Sequence, residues 1–282
     1  MGVSSHKVKL FAGLVLSLLL LGCSREPPQE NILKSMAELD RVHIPTLIFT
    51  NLHRQRESEI AMERLSREWQ KFKQKYYHLE FKYGLDITDK FWKEDFDRID
   101  LFLTTAEVFI GERKLAEAHE ELERVRFVFR ELRKRNGLDY FLDGMTEFHE
   151  PMEQIILTLR GKDNISEEDL FRLEALFREA WGSWERVAAA EIDPEVFGFD
   201  PEKMEAIKER IKEEQSLLEN FAAALSARNA DQIFQGATDL RPNFVVLYKA
   251  FGDFQPIFGK IIEERKASVS GEVEGAEEKE VK

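Results

Sequence analysis

Cysteine is almost missing from this chain: Cys23 is the only one in 282 residues. A single thiol so close to the N-terminus excludes disulfides, cysteine-ligated zinc and a catalytic thiolate from the body of the protein. There is no Ser/His/Asp signature, no phosphate-cradling glycine loop and no dinucleotide fingerprint, so the common nucleophilic and cofactor chemistries have no motif to rest on. No HExxH occurs either, since "HEELE" and "HEPME" both end in glutamate. Alternating apolar and polar runs of the kind that make strands are not found. Positive charge is in deficit as well. The formal charge is −13, which argues against nucleic acid as a partner and against binding of anionic lipid through the protein surface.

The first residues, "MGVSSHKVKLFAGLVLSLLLLGC", place Lys7 and Lys9 before an apolar run from Leu10 to Leu21. That run is too short to span hydrocarbon and reads as a secretory signal. Its end, Leu20-Leu21-Gly22-Cys23, resembles the lipobox of bacterial lipoproteins. The resemblance implies that 1–22 is removed, that Cys23 is acylated, and that the mature protein is held at a bilayer by lipid chains without a spanning helix. Loss of Lys7 and Lys9 takes the charge to −15. Ser24, where an aspartate would favour retention at the inner membrane, points by the same resemblance to the outer membrane, facing the periplasm. Residues 23–31, with "SREPPQEN", are expected to form an extended tether because two prolines oppose helix. Residues 267–282, "ASVSGEVEGAEEKEVK", have the composition of a disordered acidic tail.

Between tether and tail, apolar residues recur at steps of three and four. Met62, Leu65, Trp69, Phe72, Tyr76, Leu79 and Tyr83 make one such seam. Trp92, Phe96, Ile99, Leu103, Ala106 and Ile110 make a second, and Leu115, Ala118, Leu122, Val125, Phe129 and Leu132 a third. Helix ends are expected at Tyr83-Gly84 and Asn136-Gly137, a capping box at Ser166 to Asp169, and an N-cap at Asp200 before Pro201. Sliding the chain by 112 residues superposes Trp69 and Phe72 on Trp181 and Trp184, and Glu107 and Phe109 on Glu219 and Phe221. This internal echo predicts an all-α fold, a tandem of two antiparallel four-helix-bundle-like units over 32–160 and 161–266, joined at "GKDNIS". The outline resembles the four-helix shape of cytochromes b562 and c′, without the CxxCH attachment or the ligands that haem would need.

Three His-x-x-x-Glu pairs fall in the first unit: His53 with Glu57, His119 with Glu123, and His149 with Glu153. Residues four apart share a helix face, so each pair can offer a nitrogen and a carboxylate to one ion. Related spacings occur in hemerythrins and carboxylate-bridged di-iron bundles, although no HxxxH accompanies these pairs, and Pro151 interrupts the third. Each His and Glu of the last two pairs follows a core position by one residue, at the edge of the core. Arg126, Arg130 and Arg133 continue that edge, which favours a solvated stripe of ion pairs over a metal site. Traced backward from Met62, the first seam passes through Ser58, Gln55 and Asn51 before Ile48 and Ile44. Polar residues at core positions require a wet cavity or polar partners, with His119 and Arg126 as candidates; otherwise the helix leaves the bundle and the seam moves to Leu52 and Ile60. The aromatics Phe244, Tyr248, Phe251, Phe254 and Phe258, with Trp181 and Trp184, are expected to fill the second core.

These features favour an envelope lipoprotein with a non-catalytic helical body, a scaffold or accessory module that offers helix faces to an envelope protein partner. No cofactor is expected. The competing class is a carrier or sensor of a transition-metal ion or small ligand, using the six His and Glu residues.

Overall fold

The computed structural model describes residues 28–79 and 89–280. Cys23 and the expected signal lie outside the described residues, as do Tyr83 and Gly84. The architecture is all-α, as the periodicity requires. In chain order the helices are α1 (Pro28–Asn51), α2 (Gln55–Tyr76), α3 (Trp92–Gly111), α4 (Leu115–Arg135), α5 (Phe141–Leu159), α6 (Glu167–Ala189), α7 (Pro194–Phe197), α8 (Pro201–Ala227), α9 (Ala230–Lys249) and α10 (Gln255–Glu280). No helix among the described residues is long and apolar enough to cross a membrane.

The three predicted seams are core. Every residue of the α3 and α4 seams is buried, as are Met62, Leu65, Trp69, Phe72 and Tyr76 of α2. Capping follows the sequence too. Ser166 Oγ accepts from the Asp169 N–H at 3.1 Å while Asp169 returns the bond, and Asp200 accepts from the Lys203 N–H at 2.8 Å.

Among the described residues two large apolar cores form, beside a small cluster of Phe49, Ile60, Ala61 and Ile257. One joins α1, α2, α3 and α4; the other joins α5, α6, α8 and α9 with α7. Helix α1 is the shared wall: Ile32, Met36, Leu39, Val42 and Leu47 face the first core, and Ala37 and Ile44 the second. The division therefore falls between α4 and α5, near Gly137, and not at 161–166 as the sequence suggested. Helix α5 starts the second unit, and the 112-residue offset had carried α1 onto α5 all along. Packing pairs recur in the same order, α1 with α2, α3 with α4 and α2 with α3, then α5 with α6, α8 with α9 and α6 with α8. For α3 and α4 the buried positions recur three residues beyond that offset. Trp92 answers Ile207, Leu103 answers Leu218, Ile110 answers Leu225, Leu122 answers Ala237 and Leu132 answers Leu247.

Two termini differ from expectation. Helix α1 begins at Pro28, inside the segment read as an extended tether; proline fits the first helical turn, where its missing N–H has no intrahelical partner to lose. Helix α10 continues through 267–280, where composition suggested no fold. Its first turns are anchored on α2 through Arg56–Glu264 and Lys260–Glu63, and elongation from a formed helix costs far less than nucleation.

The first seam breaks at 52–54. The N–H of Arg54 bonds the carbonyl of Phe49 at 3.0 Å and that of His53 bonds Thr50 at 3.1 Å, with His53 at φ 52°, which is a Schellman ending without glycine. Arg113 (φ 62°) and Arg228 (φ 50°) close α3 and α8 in the same way.

Candidate functional site

The turn at 52–54 dissolves the first His/Glu pair. His53 is exposed in the turn while Glu57 is buried on α2 and ion-paired with Arg54, so the two do not share a helix face. It also accounts for the polar residues on the seam. Asn51 is exposed at the end of α1. Gln55 donates to the carbonyl of Ile110 at 2.7 Å, and Ser58, fully buried, donates to the carbonyl of Arg54 at 2.8 Å. Gln55 thus meets a polar group of another helix, though not His119 or Arg126, and of the alternative seam Ile60 is buried while Leu52 is 59% exposed.

The other candidates converge where α4 meets α5 and α9. Arg126, 7% exposed, is the hub. Its guanidinium pairs with Glu123 one turn earlier, donates to His149 Nδ1 of α5 at 3.2 Å, and lies 5.9 Å over the Tyr248 ring of α9. An arginine only donates, so His149 Nδ1 accepts and the ring is neutral. That ring stacks on Phe244, 5.3 Å between centroids. Burial first, then the positive charges of Arg126 and Arg241, push the His149 pKa down to about 3. His119 Nε2 lies 3.7 Å from Glu123, and its Nδ1 lies 3.3 Å from Thr50 Oγ1 of α1. Burial lowers its pKa in spite of the Glu123 carboxylate. Arg126 itself loses hydration on burial, but the neighbouring Glu123 charge raises its pKa overall. Glu153 turns away from His149 and sits 3.7 Å from Arg241 and 3.8 Å from Arg160.

Four members of this interior, Asp40, His43, Tyr140 and Asp143, give no signal in the sequence. His43 of α1 is 2% exposed and its Nε2 donates to the carbonyl of Leu122 at 3.1 Å; burial and Arg126 push its pKa down to about 3. Two turns from Arg126 and one from Arg130, Arg133 lies 4.4 Å over the Tyr140 ring and forks onto Asp143 of α5, one bond at 2.8 Å. Tyr140 donates to Asp40 of α1 at 2.7 Å, and burial raises the Asp40 carboxyl to about 6. The predicted stripe is real as a row of ion pairs, but Arg126 and Arg133 are not solvated. The edge of one bundle is the inside of the pair, a fact that one-helix periodicity cannot express.

The donor set does not suit a cation. Among the described residues no group of three or more His, Cys, Asp and Glu is placed to hold a metal ion. His149 gives its Nδ1 to a guanidinium, and Glu123 and Glu153 face arginines, so an incoming ion would meet positive charge before it met a ligand. Two clefts of about 670 and 620 Å³ open elsewhere, one between α6 and α8 and one beside α5 and α6 with Arg130 of α4 at its edge, and neither is lined by a histidine.

One further buried carboxyl group stands apart. Glu214 of α8 is fully buried; Oε2 accepts from Asn243 Nδ2 at 2.8 Å and Oε1 has no partner. It occupies the position that Ile99 holds in the first unit, and burial raises its carboxyl to about 8. Comparison of the chain with protein-family models, with curated proteins and with solved structures finds no match in any of the three.

Proposed function

We propose that this is an envelope lipoprotein, anchored through acylated Cys23 at the outer membrane, whose helical body is a non-catalytic scaffold or accessory module for a protein partner. The observation that carries this reading is the use made of its most reactive-looking side chains. His43, His119, His149, Arg126 and Glu123 are spent on one another and on nearby protein groups, the Leu122 carbonyl and Thr50, across α1, α4 and α5, in the interior that joins the two bundles. Histidines held beside arginines suit a rigid frame better than a reaction centre. Outward-facing apolar side chains add support: Leu101 and Val108 lie two turns apart on α3, 62% and 52% exposed, and Phe171 on α6 is 72% exposed. Such residues are ordinary singly, and two on one helix face give a partner something to bury.

The test places a photo-crosslinking residue at Leu101, Val108 or Phe171 of the full chain in cells that process the signal. A scaffold gives a discrete adduct from at least one face, lost when Leu101 and Val108 or Phe171 are changed to Glu. No adduct from any of the three, together with a bound ion recovered from the purified chain, overturns the reading in favour of a metal carrier.

A further inference from the structure

The two units differ at one corresponding place. In the first, the wedge between the end of α2 and the start of α3 is filled with rings. Trp92 packs on Phe96 at 5.1 Å, Tyr77 on Phe96 at 6.0 Å, and Trp92 Nε1 donates to the carbonyl of Tyr76 at 2.9 Å. In the second unit the positions answering Tyr76, Tyr77, Trp92 and Phe96 are Ala188, Ala189, Ile207 and Ile211. Four aromatics give way to two alanines and two isoleucines, and a cleft of about 670 Å³ opens there. Its lining is chiefly apolar, from Ala188, Ala190, Ile192, Met204 and Ile211. That volume falls within the range of roughly 300–1,000 Å³ typical of small-molecule sites.

Charge at the rim runs against the rest of the molecule. The chain carries −13 overall, yet Lys208 and Lys212, one turn apart on α8, both line this cleft, against a single carboxylate, Glu191. Their charges are poorly answered by the protein. The nearest carboxylate to Lys208 is Glu205 at 3.9 Å, and Lys212 is ion-paired with none among the described residues. An apolar floor under two under-compensated ammonium groups complements a molecule with an apolar chain and an anionic head.

We propose that the cleft between the end of α6 and α8 binds a free single-chain anionic amphiphile, its chain on Ile192, Met204 and Ile211 and its head at Lys208 and Lys212. The site is independent of the scaffold reading and would sit on the same body. The probe is dodecanoate, below the concentration at which it aggregates, titrated calorimetrically into the full chain carrying Cys23→Ser. Saturable one-to-one binding is expected. It should weaken at least tenfold in Lys208→Glu with Lys212→Glu, two exposed positions that leave the fold intact. It should vanish in Ala188→Tyr with Ile211→Phe, which restores two of the first unit's aromatics. Should that filled variant fail to fold, the lysine pair still decides the matter. Dodecyltrimethylammonium, with the same chain and the opposite charge, should bind at least tenfold more weakly. The proposal is overturned if dodecanoate does not saturate, if the cationic amphiphile binds equally, or if the lysine reversals change nothing. Lysine-dependent binding to intact anionic phospholipid vesicles without binding of free dodecanoate would also overturn it, as a membrane-surface contact.

Discussion

Replacing Glu214 with Gln should stabilise the protein, by an amount that depends on pH. A carboxyl group fully buried beside one amide donor is held in the acid form, and its pKa is raised from 4.5 to about 8. A folded-state value above the unfolded one means that folding takes up a proton. The group therefore costs nothing below pH 4.5, and the cost grows as pH rises until it levels off above 8. At about 1.4 kcal/mol per pH unit, holding the proton at pH 7 costs about 3 kcal/mol. Gln keeps the acceptor for Asn243 Nδ2 and introduces an NH2 near an atom that already lacks a partner, a loss of about 1 kcal/mol. The net gain is thus about 2 kcal/mol at pH 7, growing toward pH 8 and vanishing or reversing near pH 4.5. Denaturant titrations of the full chain and of Glu214→Gln at pH 4.5, 7 and 8.5 measure it. A difference that does not change with pH would refute the reasoning, because it would mean that Glu214 ionises in the folded state as it does in the unfolded one.

Other consequences follow from the same interior. His43 and His149 carry the opposite sign. Their folded pKa values lie near 3 against 6.5, so their stabilising effect is complete above 6.5 and is lost as pH falls toward 3. At pH 5.5 each should cost about 1.4 kcal/mol, and His43→Leu should flatten half of that slope in acid-denaturation curves. Arg126→Met takes the arginine from a half-buried Glu123 and should destabilise by about 1.5–3 kcal/mol, whereas adding Glu123→Gln should restore much of the loss in the same melting assay. Arg228 holds a left-handed conformation at a helix end, and its ion pair with Glu167 is exposed. Arg228→Gly should therefore raise stability by roughly 1 kcal/mol, and an unchanged melting midpoint would show that the arginine sits there without strain.

Some of this was readable in the chain and some was not, for identifiable reasons. Seams through Trp92–Ile110 and Leu115–Leu132 read as amphipathic helices because each buries one face against one core. Helix α1 buries two faces, so His43, between Val42 and Ile44, looked like any residue in an apolar stretch and gave no signal. The turn at His53 was hidden because it uses no glycine or proline; what closes it is backbone bonding of Arg54 to Phe49, which tertiary packing selects. Arg113 and Arg228 hid two further turns in the same manner. The seam positions of Arg126 and Arg133 were read correctly, but their environment depends on α5 and α9 closing over them. The 112-residue echo places α5 on α1 and so makes it the start of the second unit, whereas the loop signal at "GKDNIS" marks only the turn between α5 and α6.

Central to this reading, Arg126 ties α4 to α5 through His149, and His119, Glu123, His149 and Glu153 do not hold an ion. Metal content of the purified full chain, with its melting temperature before and after addition of zinc, copper or iron, tests this directly when paired with a variant carrying His53→Ala, His119→Ala and His149→Ala. The account predicts no stoichiometric ion and no metal-dependent shift in either protein, with the variant melting lower because its interior contacts are lost. One bound ion per chain, or a stabilising shift that disappears in the variant, would contradict it and make the His/Glu pairs a ligand set.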